Sequence, residues 1–319
     1  MGRPLMFGAL IGLAAIPLAI VEAKLWLYKN YWVPASQTAQ LAQLSQYFDQ
    51  LFLLIVAMLS LAIILCLIDL LIRPLLFGSR HRKIRHDPIE GKRIGIGLTA
   101  YNDELSVGGA VADFKKLSGI SDLVVIDNNS RDRTAELAQK AGARVVQEKK
   151  QGYGYACMRA MSEPKCDIVI LSEADQTFSA SDVKKLIAYM ENADMVVGTR
   201  TTEELLDQSS QLDWFLNWGN QFLAKLIQLR YWGKVRLTDV GCTYRAIRKD
   251  AFLKIQPQLK VGGSHFSPHM VMVALENDLK VIEVPITFRE RVGQSKAIGR
   301  NKIKAIKLGL QMLWMEIFS

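Results

Sequence analysis

Ile168-Val169-Ile170-Leu171-Ser172-Glu173-Ala174-Asp175 decides how this chain is read. Four aliphatic residues in a row, without polar alternation, suit a strand buried on both faces, as in parallel sheets. Two carboxylates one residue apart then mark where the chain leaves that strand. Ligands of such sheets gather beyond the carboxyl ends of the strands. Acids placed there can hold a hard divalent cation, with phosphate oxygens completing its shell. The plain alternative is an exposed loop carrying two solvated acids.

Working outward, residues 93–98, 122–126, 144–147 and 195–198 read as further strands, and residues 107–117 and 134–141 as helices. The alternation implies an α/β domain with a mostly parallel sheet covered on both faces. The strand at 122–126 runs into Asp127-Asn128-Asn129-Ser130. A carboxylate at that point can accept hydrogen bonds from a base or ribose, and the same residue types equally favour a turn or a helix cap. Gly95-Ile96-Gly97-Leu98-Thr99-Ala100 matches the dinucleotide fingerprint by letter. Its glycines fall inside the strand rather than after it, which argues against a dinucleotide oxidoreductase.

The 319 residues are 50% hydrophobic with a formal net charge of +9, enough for one large domain plus membrane segments. The basic excess suits anionic lipid or phosphate-bearing partners, but aromatics do not interleave with a basic stripe, so nucleic acid is not expected. Cys66, Cys157, Cys166 and Cys242 show no metal-ligand spacing and read as reduced thiols.

Residues 5–23 and 51–72 are apolar runs of about the 20 residues that cross a bilayer as helix. They predict a transmembrane hairpin over residues 1–77, followed by a basic linker at 78–91. Arg3 precedes the first run, and Arg73, Arg80, Arg82, Lys83 and Arg85 follow the second, against only Lys24 and Lys29 between them. The positive-inside rule then puts the remainder in the cytoplasm, with Trp26, Tyr28, Tyr31 and Trp32 as an interfacial belt on the far side. At the other end, Ile303, Ile306, Leu310, Leu313, Trp314 and Ile317 recur at helical spacing. Residues 298–319 are therefore expected to lie on the membrane as an amphipathic helix.

Several motifs occur in a fixed order: Thr99-Ala-Tyr101-Asn102-Asp103-Glu104, Asp127-Asn-Asn-Ser130, Glu173-Ala-Asp175, Val197-Gly-Thr-Arg200, Thr238-Asp239-Val-Gly241-Cys-Thr-Tyr-Arg245, and Val284-Pro-Ile-Thr-Phe-Arg289-Glu-Arg291-Val-Gly-Gln-Ser295-Lys296. Over about residues 93–297 this set resembles the family 2 glycosyltransferases, which implies a catalytic domain of GT-A fold over residues 92–297. Within that family it is most similar to the polyprenyl-phosphate glycosyltransferases such as dolichyl-phosphate mannose synthase. The resemblance implies an inverting, metal-dependent hexosyltransferase using Mg2+ or Mn2+. It implies a nucleotide-sugar donor, UDP-sugar favoured over GDP-sugar, and an undecaprenyl or dolichyl phosphate acceptor at the cytoplasmic membrane face. A homo-oligomer is compatible with it.

By position, the resemblance places Thr99, Tyr101, Asp103, Asp127 and Glu173 at the nucleotide-sugar, Asp175 with Glu173 at the metal, and Asp239 near the reacting sugar as a catalytic residue with Asp175. Arg200, Arg289, Arg291 and Lys296 become the cations around phosphates. The chain departs from the family pattern at three points: Asn128 for a common second Asp, Glu173 for the usual first Asp of the metal motif, and His269 where an acid is common.

A phosphate acceptor suits these cations. A sugar hydroxyl needs a general base, whereas a phosphate monoester is already anionic and needs only positioning and neutralisation. Two other classes compete. A membrane glycosyltransferase acting on a glycolipid or polysaccharide would need more spans and a Gln-x-x-Arg-Trp motif after Asp239, and Gln228-Leu-Arg-Tyr-Trp232 has other spacing and precedes it. A non-catalytic sugar-nucleotide-binding scaffold is motivated by Asn128 and Glu173.

Overall fold

The computed structural model describes residues 3–31, 38–67, 84–207, 214–293, 309 and 311–312. The chain divides into two compact units, one made almost wholly of Met1–Arg82 and the other of Lys83–Gln228 and Gly233–Ser319.

In the first unit, α1 (Arg3–Tyr31) and α2 (Thr38–Leu67) pack against each other. Gly12 of α1 faces Ala62 of α2, and a Cβ built on Gly12 would stand in ordinary van der Waals contact with the Ala62 Cβ at 3.7 Å. Ala15, Phe48, Ile55 and Ala62 are buried in the unit, while Ile16, Ile20, Leu53, Leu54, Ile63 and Ile64 face outward. Both helices outrun the apolar runs that signalled them. The aromatic group at 26–31 and both lysines lie on α1 itself, and α2 starts 13 residues before residue 51. Thr38-Ala-Gln-Leu-Ala-Gln-Leu is polar enough to end an apolar window yet rich in good helix formers. Among the described residues, one helical stretch, Gln46–Leu65, is long and apolar enough to cross a membrane. Residues 68–72 of the second expected span lie outside the described residues.

The second unit is mixed α/β. Its strands are β1 (Ile94–Ala100), β2 (Ile120–Asp127), β3 (Arg144–Gln147), β4 (Ile168–Glu173), β5 (Met195–Thr199), β6 (Arg245–Arg248) and β7 (Val281–Pro285). Its helices are α3 (Val107–Lys115), α4 (Thr134–Lys140), α5 (Tyr153–Ser162), α6 (Val183–Ala188), α7 (Trp214–Arg230), α8 (Lys249–Ile255) and α9 (Phe266–Glu276). The seven strands form one sheet in the order β3-β2-β1-β4-β6-β5-β7. All neighbours are parallel except those of β6, which runs antiparallel to both β4 and β5. The architecture is GT-A-like. Ile96, Leu98, Phe114, Ile168, Ile170 and Tyr244 fill the core between sheet and helices.

Register does the positioning. Ala100 pairs with Asp127 and Thr99 with Glu173, so acids from β2 and β4 flank the end of β1. Because β6 is reversed, its first residue Arg245 sits beside Leu171 near the end of β4 and Val197 near the end of β5. The residues before β6 therefore arrive at the same sheet edge that the parallel strands leave by. β6 and β7 were not expected from the sequence. β6 carries an arginine at each end, and both are buried.

Residues 84–91, the described part of the expected linker, are fastened to this domain. Asp87 takes Arg248 at 2.7 Å and Lys92 at 2.8 Å, its amide donates to the Glu191 carbonyl at 3.0 Å, and Arg85 pairs with Asp194. Residues 68–83 lie outside the described residues, as does 298–319 except for Gly309, Gln311 and Met312, which are helical.

The strand glycines have a packing role. A Cβ on Gly97 would stand 2.0 Å from the Ala160 carbonyl oxygen of α5, where no side chain can yield. Gly97→Ala should therefore cost about 3 kcal/mol by overpacking against backbone, read as a lower denaturant midpoint. Gly108→Ala, in α3 with nothing within 4 Å of the new Cβ, should be neutral or stabilising.

Candidate active site

Glu173 and Asp175 lie where β4 ends, and neighbours of the chain orient each carboxylate. Asp175, 1% exposed, accepts the Thr177 amide at 3.0 Å and the Thr177 hydroxyl at 2.6 Å on Oδ1. Glu173 accepts the Thr243 hydroxyl at 2.5 Å and the Tyr153 hydroxyl at 3.2 Å on Oε1. The opposite oxygens, Asp175 Oδ2 and Glu173 Oε2, both face Nη2 of Arg291, at 2.5 Å and 3.3 Å. The Arg291 contact to Asp175 is ionic but off the hydrogen-bond axis. Asp175 Oδ2 and Ser172 Oγ are the buried side-chain polar atoms without a hydrogen bond among the described residues.

Burial and the adjacent Asp175 charge push the Glu173 carboxyl up to about 7, against the pull of Arg291. A carboxylate pair held together with one oxygen unbonded is a fit site for a hard cation. Among the described residues no cluster of three or more His, Cys, Asp or Glu exists, so a metal here would draw two ligands from the protein and the rest from substrate or water. That is the usual arrangement for a cation shared with a diphosphate.

The residues expected at the nucleotide assemble beside this pair, on turns at the ends of β1 and β2. Thr99 is buried in register with Glu173. The Asp103 carboxylate accepts the Tyr101 amide at 2.9 Å, the Asn102 amide donates to Ser130 Oγ at 2.9 Å, and the Asp103 amide donates to Thr134 Oγ1 at 2.7 Å. Asp127 accepts the Ser130 amide at 3.3 Å, so the turn and the acid at the strand end are one feature. Asn128 is fully used. Its amide donates to the Glu148 and Lys150 carbonyls at 3.0 and 2.9 Å, and its oxygen accepts from Gln151 Nε2 at 3.2 Å and the Gly152 amide at 2.9 Å. An aspartate could not make the two donations, which accounts for Asn at this position.

Asp239 and Arg200 form a second, buried centre. Arg200 donates through Nε at 2.7 Å, Nη2 at 2.9 Å and its amide at 3.1 Å, and Gly241 adds its amide at 2.9 Å. Burial opposes the Asp239 charge, but the Arg200 guanidinium and these donors hold its carboxyl below the usual carboxylate value. Arg200, expected among phosphates, has its fork committed to this acid. Glu283 of β7 supports the turn from behind, accepting the Thr238 amide at 2.8 Å, the Thr238 hydroxyl at 2.7 Å and the Asp239 amide at 3.0 Å.

Residues 286–292 run as a strap over the loop that follows Asp175. The Arg289 amide donates to the Thr177 carbonyl at 2.8 Å, the Val292 amide to the Asp175 carbonyl at 3.2 Å, and Arg289 Nη2 to Ser179 Oγ at 2.9 Å. Lys296 lies outside the described residues. His269 is not among the acids: on α9 it accepts the Lys260 amide at 3.3 Å, and burial lowers its pKa. Tyr153, Thr243 and Glu283 were missed by sequence reading. Thr243 stood inside the Thr238–Arg245 motif without an assigned role, and Glu283 left a signal as a lone acid inside an otherwise apolar strand.

Comparison with known proteins agrees with this geometry. The chain matches the family model Glycosyl transferase family 2 over residues 96–255. It is 28% identical over 223 residues to a dolichyl-phosphate hexose transferase of Haloferax volcanii, covering 66% of this chain and 92% of that protein. Among solved structures it resembles glucosyl-3-phosphoglycerate synthase of Mycobacterium tuberculosis in complex with Mn2+, UDP and phosphoglyceric acid. That match has TM-score 0.57 and 15% identity, covering 72% of this chain and 80% of that one. The same enzyme with Mg2+ and UDP matches at TM-score 0.52 and 16% identity, covering 73% and 85%.

Two outcomes follow from the charges. A carboxyl with a raised folded value binds more protons folded than unfolded between about 4.5 and about 7, so its contribution to stability is lost as pH rises through that window. Glu173→Gln, with divalent cations chelated, should therefore melt about 2–4 °C above wild type at pH 8, and show little difference at pH 4.5. Asp239→Asn leaves the Arg200 charge buried without its partner and should cost about 3–5 kcal/mol of unfolding free energy; adding Arg200→Met should recover part of that loss.

Proposed function

The chain belongs to glycosyl transferase family 2, and from that premise we propose that it transfers a sugar, with inversion at the anomeric carbon, from a nucleotide-sugar to a polyprenyl phosphate at the cytoplasmic face of a membrane. The observation that carries the reading is the Glu173–Asp175 pair at the carboxyl edge of the sheet, with Asp175 Oδ2 buried and without a hydrogen bond. Glu173 Oε2 and Asp175 Oδ2 would hold Mg2+ or Mn2+. When bound, the cation supplies positive charge to the leaving diphosphate. Thr99, Tyr101, Asp103 and Asp127 line the nucleotide side, and a uridine donor is favoured because the structural relatives are complexed with UDP.

The state of Asp239 supports a phosphate acceptor. Its carboxylate accepts four donors and is held ionised and in place, which suits an anchor beside the sugar better than a base that must take a proton. A phosphate monoester attacks without losing a proton, so no such base is needed. Arg289, Arg291 and Lys296 would neutralise and orient it, and Arg200 acts through Asp239. A lipid-linked acceptor agrees with the printed name of the Haloferax relative. It also agrees with the apolar outward face of α1 and α2, read here as a transmembrane hairpin with spans near 5–23 and 51–72. In this reading residues 92–297 are the catalytic domain, and residues 298–319 lie in the plane of the membrane.

Full-length protein in detergent, given UDP-sugars, Mn2+ or Mg2+ and undecaprenyl or dolichyl phosphate, should form glycosylated lipid phosphate. Asp175→Asn should lower turnover at least 1,000-fold, an order of magnitude taken from loss of one charge-stabilising group, while melting normally. Glu173→Asp should retain more activity than Glu173→Ala. Sugar incorporation into a glycolipid or polymer without lipid phosphate would favour the alternative acceptor class, and tight donor binding with no turnover would favour a scaffold.

A further inference from the structure

The cations near the site are held in two different ways. Arg200 and Arg245 are buried and permanently committed. Arg200 grips Asp239 with two nitrogens, and Arg245 donates to the carbonyls of Thr243 at 3.1 Å, Ser267 at 3.2 Å and Cys242. Arg291 differs in each respect. It comes from the strap rather than the sheet, and its side chain is 23% exposed. One nitrogen, Nη2, faces an oxygen of each carboxylate, so the fork that makes arginine pairs strong is not used. Thr177, Thr243 and Tyr153 bind the far oxygens of both acids and turn the remaining two toward one point. Arg291 Nη2 stands at that point. When both carboxyls are ionised, two carboxylates against one guanidinium leave one negative charge unmatched, a deficit that a divalent ion in the same place removes.

We propose that Arg291 is a tethered counter-ion that occupies the cation position between Glu173 and Asp175 before the nucleotide-sugar binds, and gives it up to the divalent cation that arrives with the donor. The inference rests on the metal-site reading above and adds how that site is controlled. In the waiting protein the guanidinium keeps the two acids from repelling each other and lowers the affinity for free metal. The donor diphosphate brings ligands for the cation, which lets the cation displace Arg291 and frees that guanidinium for the acceptor phosphate to which it is assigned above. Metal and donor thereby become cooperative, since each removes part of the cost of binding the other. The strap carrying Arg291 also carries Arg289, so the exchange ties donor loading to the placement of a cation assigned to the acceptor.

The test is Mn2+ binding to the full chain in detergent, measured by the electron paramagnetic resonance signal of free Mn2+, with and without UDP. Wild type should bind Mn2+ weakly alone and at least tenfold more tightly with UDP. Arg291→Gln and Arg291→Met should each bind Mn2+ alone at least tenfold more tightly than wild type, with a smaller gain from UDP. Arg291→Lys, which keeps the charge, should stay within about threefold of wild type, as should Arg289→Gln, which alters a strap cation outside the carboxylate pair. Melting profiles identify any neutral variant that fails to fold, and the other neutral variant then stands for it; if both fail, a wild type whose Mn2+ affinity does not rise with UDP overturns the proposal. If wild type binds Mn2+ with UDP but the neutral variants gain no affinity for Mn2+ alone, the exchange is wrong and the metal site stands. If no form binds Mn2+ under any condition, the metal site is wrong, and the exchange falls with it.

Discussion

Two carboxylates emerge side by side from a buried strand, and the surrounding protein does not fully neutralise them. The hydroxyls of Thr177, Thr243 and Tyr153 orient Glu173 and Asp175 without cancelling their charge, and one guanidinium answers both. A fold that places like charges this close accepts a cost to its own stability in return for an appetite for cations. The remaining features of the site answer that constraint. The strap supplies Arg291, and the β1 and β2 turns bring the nucleotide-side residues alongside.

The second centre is built on the opposite logic. Asp239 and Arg200 are matched one to one, saturated with hydrogen bonds and sealed by Glu283 behind them. Charge there is balanced and fixed. At the Glu173–Asp175 pair one guanidinium faces two carboxyls, the arrangement from which the proposed exchange starts. A buried ion pair of the first kind sets geometry, and an acidic pair of the second kind binds ligands. The juxtaposition explains how one sheet edge can hold a rigid wall and the proposed cation site together.

Much of this was legible in the sequence, and the failures have a common cause. The strands β1 to β5 announced themselves as aliphatic runs, and the acids at the ends of β2 and β4 marked the candidate site. Strand β6 was hidden because four residues with an arginine at each end make no aliphatic run, and the structure buries both guanidinium groups against backbone carbonyls. Strand β7 was hidden by Glu283 at its centre. The partners of Arg200 and Arg291 were equally invisible, because an arginine meant for a phosphate and one meant for a carboxylate look alike in a string of letters. Gly97 runs the other way. The sequence reading set it aside as a nucleotide signal, and its contact with the Ala160 carbonyl supplies the reason for it. The extent of α1 and α2 was underestimated because an apolar window measures membrane thickness, not where a helix stops.

The reversal of β6 has a consequence for how such a protein can diversify. The chain leaves the sheet after Thr199 and returns at Arg245 by the same edge. The hydroxyls of Thr199, Thr201 and Thr238 join the two ends of this excursion. An insert pinned at its base can lengthen, shorten or change its side chains at little entropic cost to the sheet that carries it. The β1–β4 half, which carries the residues proposed for the nucleotide, would be untouched. The excursion can thus vary independently of the strands that carry the acidic pair, a modularity written into strand direction rather than into any one residue.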